Sequence, residues 1–105
     1  MKLELIPISA ADVDASKAFY TDKLGFVADV DVQPAEGVRV VQLTPPGSAC
    51  SIGIGSGLPA YDDLIPGSIR GLHLVVEDIE ATRAELISRG VEVGAVQDEI
   101  GRAHV

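Results

Sequence analysis

The chain has 105 residues, 47% of them hydrophobic, and a formal net charge of -8 at pH 7. That length supports one domain with a modest core, and the acidic balance excludes phosphate backbones and anionic lipid as expected partners. No apolar run is long enough for a membrane helix, residues 1–9 lack the pattern of an export signal, and the single cysteine, Cys50, agrees with a reducing cytoplasm because it has no internal partner.

In chain order, residues 3–8 predict a short strand, and Asp12 stands where a helix N-cap belongs. In the helix that follows, Ala15, Ala18 and Phe19 share one face at three- and four-residue spacing, leaving Asp14, Lys17 and Asp22 largely outside it. Gly25 ends the helix, glycine being the residue that best tolerates a left-handed C-terminal turn. Residues 26–32 favour a strand by β-branched content, although their alternation is too mixed to orient it. A turn over residues 33–37 leads to a strand at 38–43, and a proline-rich stop at 45–48 leads to another at 49–54. The order is βαβββ.

Residues 56–68, holding Gly57, Pro59, Pro66 and Gly67, read as a linker that contains Tyr61 and in which the acidic Asp62 and Asp63 are solvated surface. Residues 72–76 predict an apolar strand, Asp78 caps a second helix with Ile79, Thr82 and Leu86 inward, and residues 91–93 begin a further strand. DVDASKA at 12–18 recurs as DIEATRA at 78–84, with a like residue at each position. A repeat of this length implies a duplicated half-domain. The fold class expected is α+β, two paired βαβββ modules with the second incomplete: residues 1–55, a linker at 56–68, and a partial module at 69–98.

Residues 99–105 are expected to stand outside the fold. The last six, read as codons ATC GGA AGA GCA CAC GTC, translate a widely used sequencing adapter whose next triplet, TGA, is a stop; the alternative is a natural, shortened C-terminus.

The pattern D-x-D-x-S-x-x-F-Y-x-x-x-L-G-F at 12–26, followed by V-x-D-I-E-A at 76–81, resembles the vicinal oxygen chelate superfamily, also called the glyoxalase, bleomycin-resistance and extradiol dioxygenase superfamily. The resemblance extends to about Val93. It implies a curved sheet enclosing a ligand cavity between modules, and a homodimer. Metal-dependent members take one ligand from the first strand of each module and one from a later strand of each. His, Glu and Gln suit such a site, holding a divalent ion with positions left open for substrate oxygens.

Carried onto this chain, the first-strand positions are Leu5 and Gly71, neither of which has a ligating side chain. The later-strand position in module one resembles Gln42. His73, two residues beyond Gly71, shares its side of the strand and substitutes for it after a small register shift, or else lines the pocket wall. Gln42 likewise reads as a metal ligand or as a cavity-lining hydrogen-bond donor. The function implied is small-molecule binding in the cavity formed by Gln42, His73, Leu5 and Gly71, with no metal. The alternatives are a lyase, epimerase or dioxygenase in which Gln42 and His73 help hold Ni, Zn, Mn, Fe or Mg, and a fragment without function. Arg39 and Arg70 are candidates for orienting an anionic ligand, or are strand-edge charges. Glu4 serves as a general base only if its face lines the cavity, while Cys50 and the glycines at 53–57 read as strand and loop rather than nucleophile and phosphate cradle.

Overall fold

A computed structural model describes residues 1–99 and 102–104, which fall into two compact units, residues 1–72 and residues 73 onward. In the first unit the order is β1 (Leu5–Pro7), α1 (Val13–Ala18), β2 (Val27–Ala35), β3 (Val38–Thr44), β4 (Ser51–Ser56) and α2 (Pro59–Asp62). The strands form one sheet ordered β1-β4-β3-β2, with β1 parallel to β4 and the other pairs antiparallel. The βαβββ order expected of module one is present.

The core lies on one face of this sheet. Val41 pairs with Ile54 and Leu43 with Ile52, and period-two alternation aims all four at α1. Fully burying each such side chain contributes about 1.5–3 kcal/mol. Phe26 completes the cluster, with Val13, Tyr20, Leu24 and Ala28 packed against it.

The helix therefore buries a stripe through Val13, Tyr20 and Leu24, not the Ala15, Ala18 and Phe19 face expected from the sequence. Phe19 is 43% exposed, whereas Tyr20 packs on Phe26 with ring centroids 5.4 Å apart and its hydroxyl pKa is raised by burial. Both spacings are helical, but the Val13 stripe carries the larger side chains and so buries more apolar area.

Asp12 and Asp78 cap their helices identically, at φ -132° with ψ 105° and 103°, and each carboxylate accepts a 3.0 Å hydrogen bond from the amide three residues on. The sequence repeat is a geometric repeat. The copies differ in one respect: Gly25 follows Asp12 by 13 positions, and Gly90 follows Asp78 by 12. The extra residue is absorbed by a π-helical turn over Phe19–Lys23, closed by Leu24 N–H donating to the Phe19 carbonyl five residues back at 3.3 Å. Gly25 (φ 75°) and Gly90 (φ 84°) then supply the left-handed terminators.

The second unit contains α3 (Ile79–Ser88) and a ladder of β5 (Gln97–Glu99) with β6 (Arg102–His104). Ile79, Thr82 and Leu86 are half-buried, as expected for the inner face of α3, and Arg83 Nε donates to the Gly94 carbonyl at 2.7 Å. Neither residues 72–76 nor residues 91–93 form a strand. Leu74, Val75 and Val76 are 50%, 92% and 40% exposed, and apolar β-branched segments become strands only where a partner accepts their backbone hydrogen bonds. The terminal segment set apart on sequence does pair, β6 lying within it; Ile100, Gly101 and Val105 of that segment lie outside the described residues. No helix among the described residues is long and apolar enough to cross a membrane.

An ion network ties α1 to the sheet. Arg39 donates through Nε and Nη2 to the two oxygens of Asp31, at 3.1 and 3.0 Å, and through Nη1 to Asp14, while Lys17 reaches Asp31 at 2.7 Å. The guanidinium of Arg39, and then Lys17, hold the Asp31 carboxyl well below its usual range. A depressed folded-state pKa gives stability that is complete above the unfolded value near 4 and is lost as pH falls below it. Asp31→Asn is expected to lower stability by less than about 1 kcal/mol at pH 7, since the pair faces solvent, and in paired urea titrations the deficit should be full above about pH 4 and begin to narrow, without vanishing, between about pH 4 and pH 3.

Candidate functional site

The opposite face of the sheet carries the residues of chemical interest. Register places Leu5 beside Ser51, Gln42 beside Gly53, and Val30 beside Gln42, all on the side away from α1. Leu5 and Gln42, expected to share a site, thus share a face on strands separated only by β4.

Two features shape this face. Gly53 and Gly55, alternating on β4, leave room for Tyr61, which α2 returns to the sheet. A Cβ added to Gly55 would lie 2.8 Å from Tyr61 Cε2, and one on Gly53 would lie 3.0 Å from both Tyr61 Oη and Leu5 Cδ2. Tyr61 is only 6% exposed and its hydroxyl pKa is raised by burial. The stretch expected to be a linker thus contains a short helix with a buried aromatic residue. Pro59 opens α2, and Asp62 Oδ1 accepts the Gly57 amide at 3.1 Å, which fixes the turn that delivers Tyr61. A Gly-x-Gly alternation inside a strand was the available signal, since it marks a close approach by another group.

The second feature is polar. Gln42 Nε2 donates to Ser51 Oγ at 3.1 Å, Ser51 Oγ lies 2.6 Å from Thr44 Oγ1, and Thr44 Oγ1 donates to Asp29 Oδ2. Ser51 is buried. Asp29 reaches Thr44 because β2 bulges there: Ala28 pairs with Leu43 and Val30 with Gln42, leaving Asp29 extra.

The other expected site residues are described unit by unit. Gly71 belongs to the first unit, in a loop with φ +79°. His73 is exposed and belongs to the second unit. Arg39 lies on the helix side of β3, occupied by Asp31 and Asp14, and Arg70 is exposed. Cys50 is half-buried just before β4, and Glu4 is exposed.

The donor set does not fit the metal centre implied by the sequence pattern. Leu5 ends in hydrocarbon against Gly53, Gly71 has no side chain, and among the described residues no three of His, Cys, Asp or Glu come together. Gln42 contributes one neutral oxygen, whereas catalytic metals usually hold three protein ligands.

A family model described as the Glyoxalase/Bleomycin resistance protein/Dioxygenase superfamily matches residues 2–104. No curated protein matches. Among solved structures, TnmS3, an antibiotic binding protein from Streptomyces sp. CB03234, is 30% identical with a TM-score of 0.81, over 95% of this chain and 79% of that one. A glyoxalase/bleomycin resistance protein from the same strain is 31% identical with a TM-score of 0.77, over 94% and 83%. A superfamily member from Sphaerobacter thermophilus DSM 20745 is 28% identical with a TM-score of 0.79, over 95% and 81%.

The glycine seat makes a graded expectation. In Gly55→Ala the new Cβ would meet the Arg39 carbonyl oxygen at 2.2 Å, a backbone atom that cannot step aside, whereas in Gly53→Ala it meets only side-chain ends. Thermal denaturation should show Gly55→Ala destabilised by about 2–3 kcal/mol and Gly53→Ala by about 1 kcal/mol or less.

Proposed function

The chain belongs to the glyoxalase/bleomycin resistance protein/dioxygenase superfamily, and from that premise we propose that it binds a small organic molecule on the Leu5–Gln42–Tyr61 face without a metal ion. The observation that carries this reading is the Leu5 side chain, whose methyl ends pack within 3.0–3.1 Å of the Cβ position of Gly53. A hydrocarbon there replaces the first-strand donor that the superfamily's metal chemistry needs, and turns the position into apolar wall. Tyr61, seated over Gly53 and Gly55, backs this face with an aromatic ring, and Gln42 adds one polar anchor. Apolar walls with few placed polar groups are the usual make-up of small-molecule sites.

The likeness to an antibiotic binding protein supports binding rather than turnover. The ligand would be an uncharged or weakly charged organic molecule, because a chain with net charge -8 repels polyanions. The same reading takes the protein as a cytoplasmic homodimer with no nucleic-acid or membrane partner.

Two measurements test the proposal. Protein purified from cells supplied with Ni, Zn, Mn, Fe and Mg should carry far less than one ion per chain by elemental analysis, and EDTA should leave its Tm unchanged. In a thermal-shift screen of aromatic small molecules, binders at a hundred times their Kd should stabilise the fold by about 2.7 kcal/mol, and Tyr61→Ala should lose that response. Stoichiometric tight metal would overturn the metal-free assignment.

A further inference from the structure

Tyr61 carries a polar atom that the protein itself does not use. Its ring is seated on β4: a Cβ on Gly55 would lie 2.8 Å from Cε2 and 2.9 Å from Cδ2, and one on Gly53 would lie 3.0 Å from Oη. The ring therefore runs along the strand from Gly55 toward Gly53, with the hydroxyl leading. Leu5 closes in from β1, its methyl ends 3.0 and 3.1 Å from the same Gly53 position, and Gln42 is the residue paired with Gly53 on β3. The hydroxyl thus stands between the hydrocarbon and the amide of the candidate face.

Among the described residues no hydrogen bond reaches Tyr61 Oη. Nor is any side-chain oxygen or nitrogen there both cut off from solvent and without a partner. Oη therefore keeps an opening to solvent, although the residue as a whole is only 6% exposed. A phenylalanine would fill the seat over the two glycines equally well, so packing accounts for the ring and leaves the hydroxyl without a use. Burying most of a phenol is costly unless its hydroxyl finds a partner. Burial raises its pKa, so the hydroxyl keeps its proton at neutral pH and can both donate and accept.

We infer that Tyr61 Oη is the specificity-determining contact of this face: a ligand lays its apolar body against Leu5 and hydrogen-bonds Oη through a hydroxyl, carbonyl or amide, and a hydrocarbon of the same shape gains nothing from that atom. The inference rests on the small-molecule reading above and names the ligand class of the same face. Because the ring is packed against β4, the hydroxyl is in place before the ligand arrives, and little side-chain entropy is lost on binding.

The test compares 1-naphthol with 1-methylnaphthalene, probes of nearly equal size of which only the first has a polar group, by ligand-observed NMR titration of the wild-type chain and of Tyr61→Phe. The substitution should weaken 1-naphthol about three- to ten-fold, the net worth of one hydrogen bond, and leave 1-methylnaphthalene within about two-fold. Equal weakening of both probes, or of neither, overturns the inference while the small-molecule reading stands. Thermal denaturation without ligand supplies a second readout: Tyr61→Phe should unfold at the wild-type temperature. A fall of about 4 °C or more, the loss expected when one internal hydrogen bond is removed from a domain of this size, would mean that the protein already uses the hydroxyl, and also overturns the inference. If neither probe binds the wild-type chain up to its solubility limit, the small-molecule reading falls and this inference with it.

Discussion

The pairing of β3 with β4 is the constraint on which the rest of the first unit depends. Val41 against Ile54 and Leu43 against Ile52 make a fully buried patch two residues deep on each strand, and a one-residue slip of either strand would turn its apolar side chains away from α1. It would also bring Gln42 or Ser51 into the helix-facing core. The register is therefore held by hydrophobic burial, worth several kcal/mol on each strand, and the polar face is its by-product. Where Leu43 and Ile52 must face the helix, Thr44 and Ser51 must face the other way, side by side and within hydrogen-bonding reach. The polar face and the core are two consequences of a single ladder.

Much of this ladder was legible in the sequence because its strands alternate cleanly and are stopped by proline and glycine. The two caps were legible because an aspartate before a helical stripe has one dominant use, and the structure gives both the same dihedrals. Strand β2 resisted orientation for a physical reason: the bulge at Asp29 and a second irregularity between Val32 and Ala35 shift its phase, so no single alternation describes it. The helix face was misjudged because small alanines satisfy helical spacing as well as Val13, Tyr20 and Leu24 do, and spacing alone does not weigh volume. Residues 72–76 have the composition of a strand, but strand formation is a property of two segments, and composition reports on one.

The site was partly legible in the same sense. The resemblance pointed to Leu5 and Gln42, and the offset between the two capping aspartates then located Gly71; in the structure Leu5 and Gln42 lie on one face of the sheet. What sequence could not reach were the residues that give the face its character. Tyr61 arrives from a segment with turn composition, through a four-residue helix whose placement depends on the space above Gly53 and Gly55. Asp29 arrives through a bulge, a feature that pairing creates. In both cases the side chain is delivered by an irregularity in an otherwise regular sheet.

The Gln42–Ser51 contact suits a glutamine at position 42 better than the glutamate that metal chemistry would favour. With Asp29 terminating the chain, Thr44 and Ser51 each have one hydrogen and both hydrogens point toward Asp29. The next group must donate to Ser51. An amide can do so and still offer an oxygen, whereas a carboxylate at the same place would set two acceptors against each other about 3 Å apart, a contact that is repulsive unless a proton or cation enters. A strong metal site at residue 42 and the Asp29–Thr44–Ser51 chain are thus competing solutions for one face. This sequence has hydrocarbon at Leu5 and an amide at Gln42.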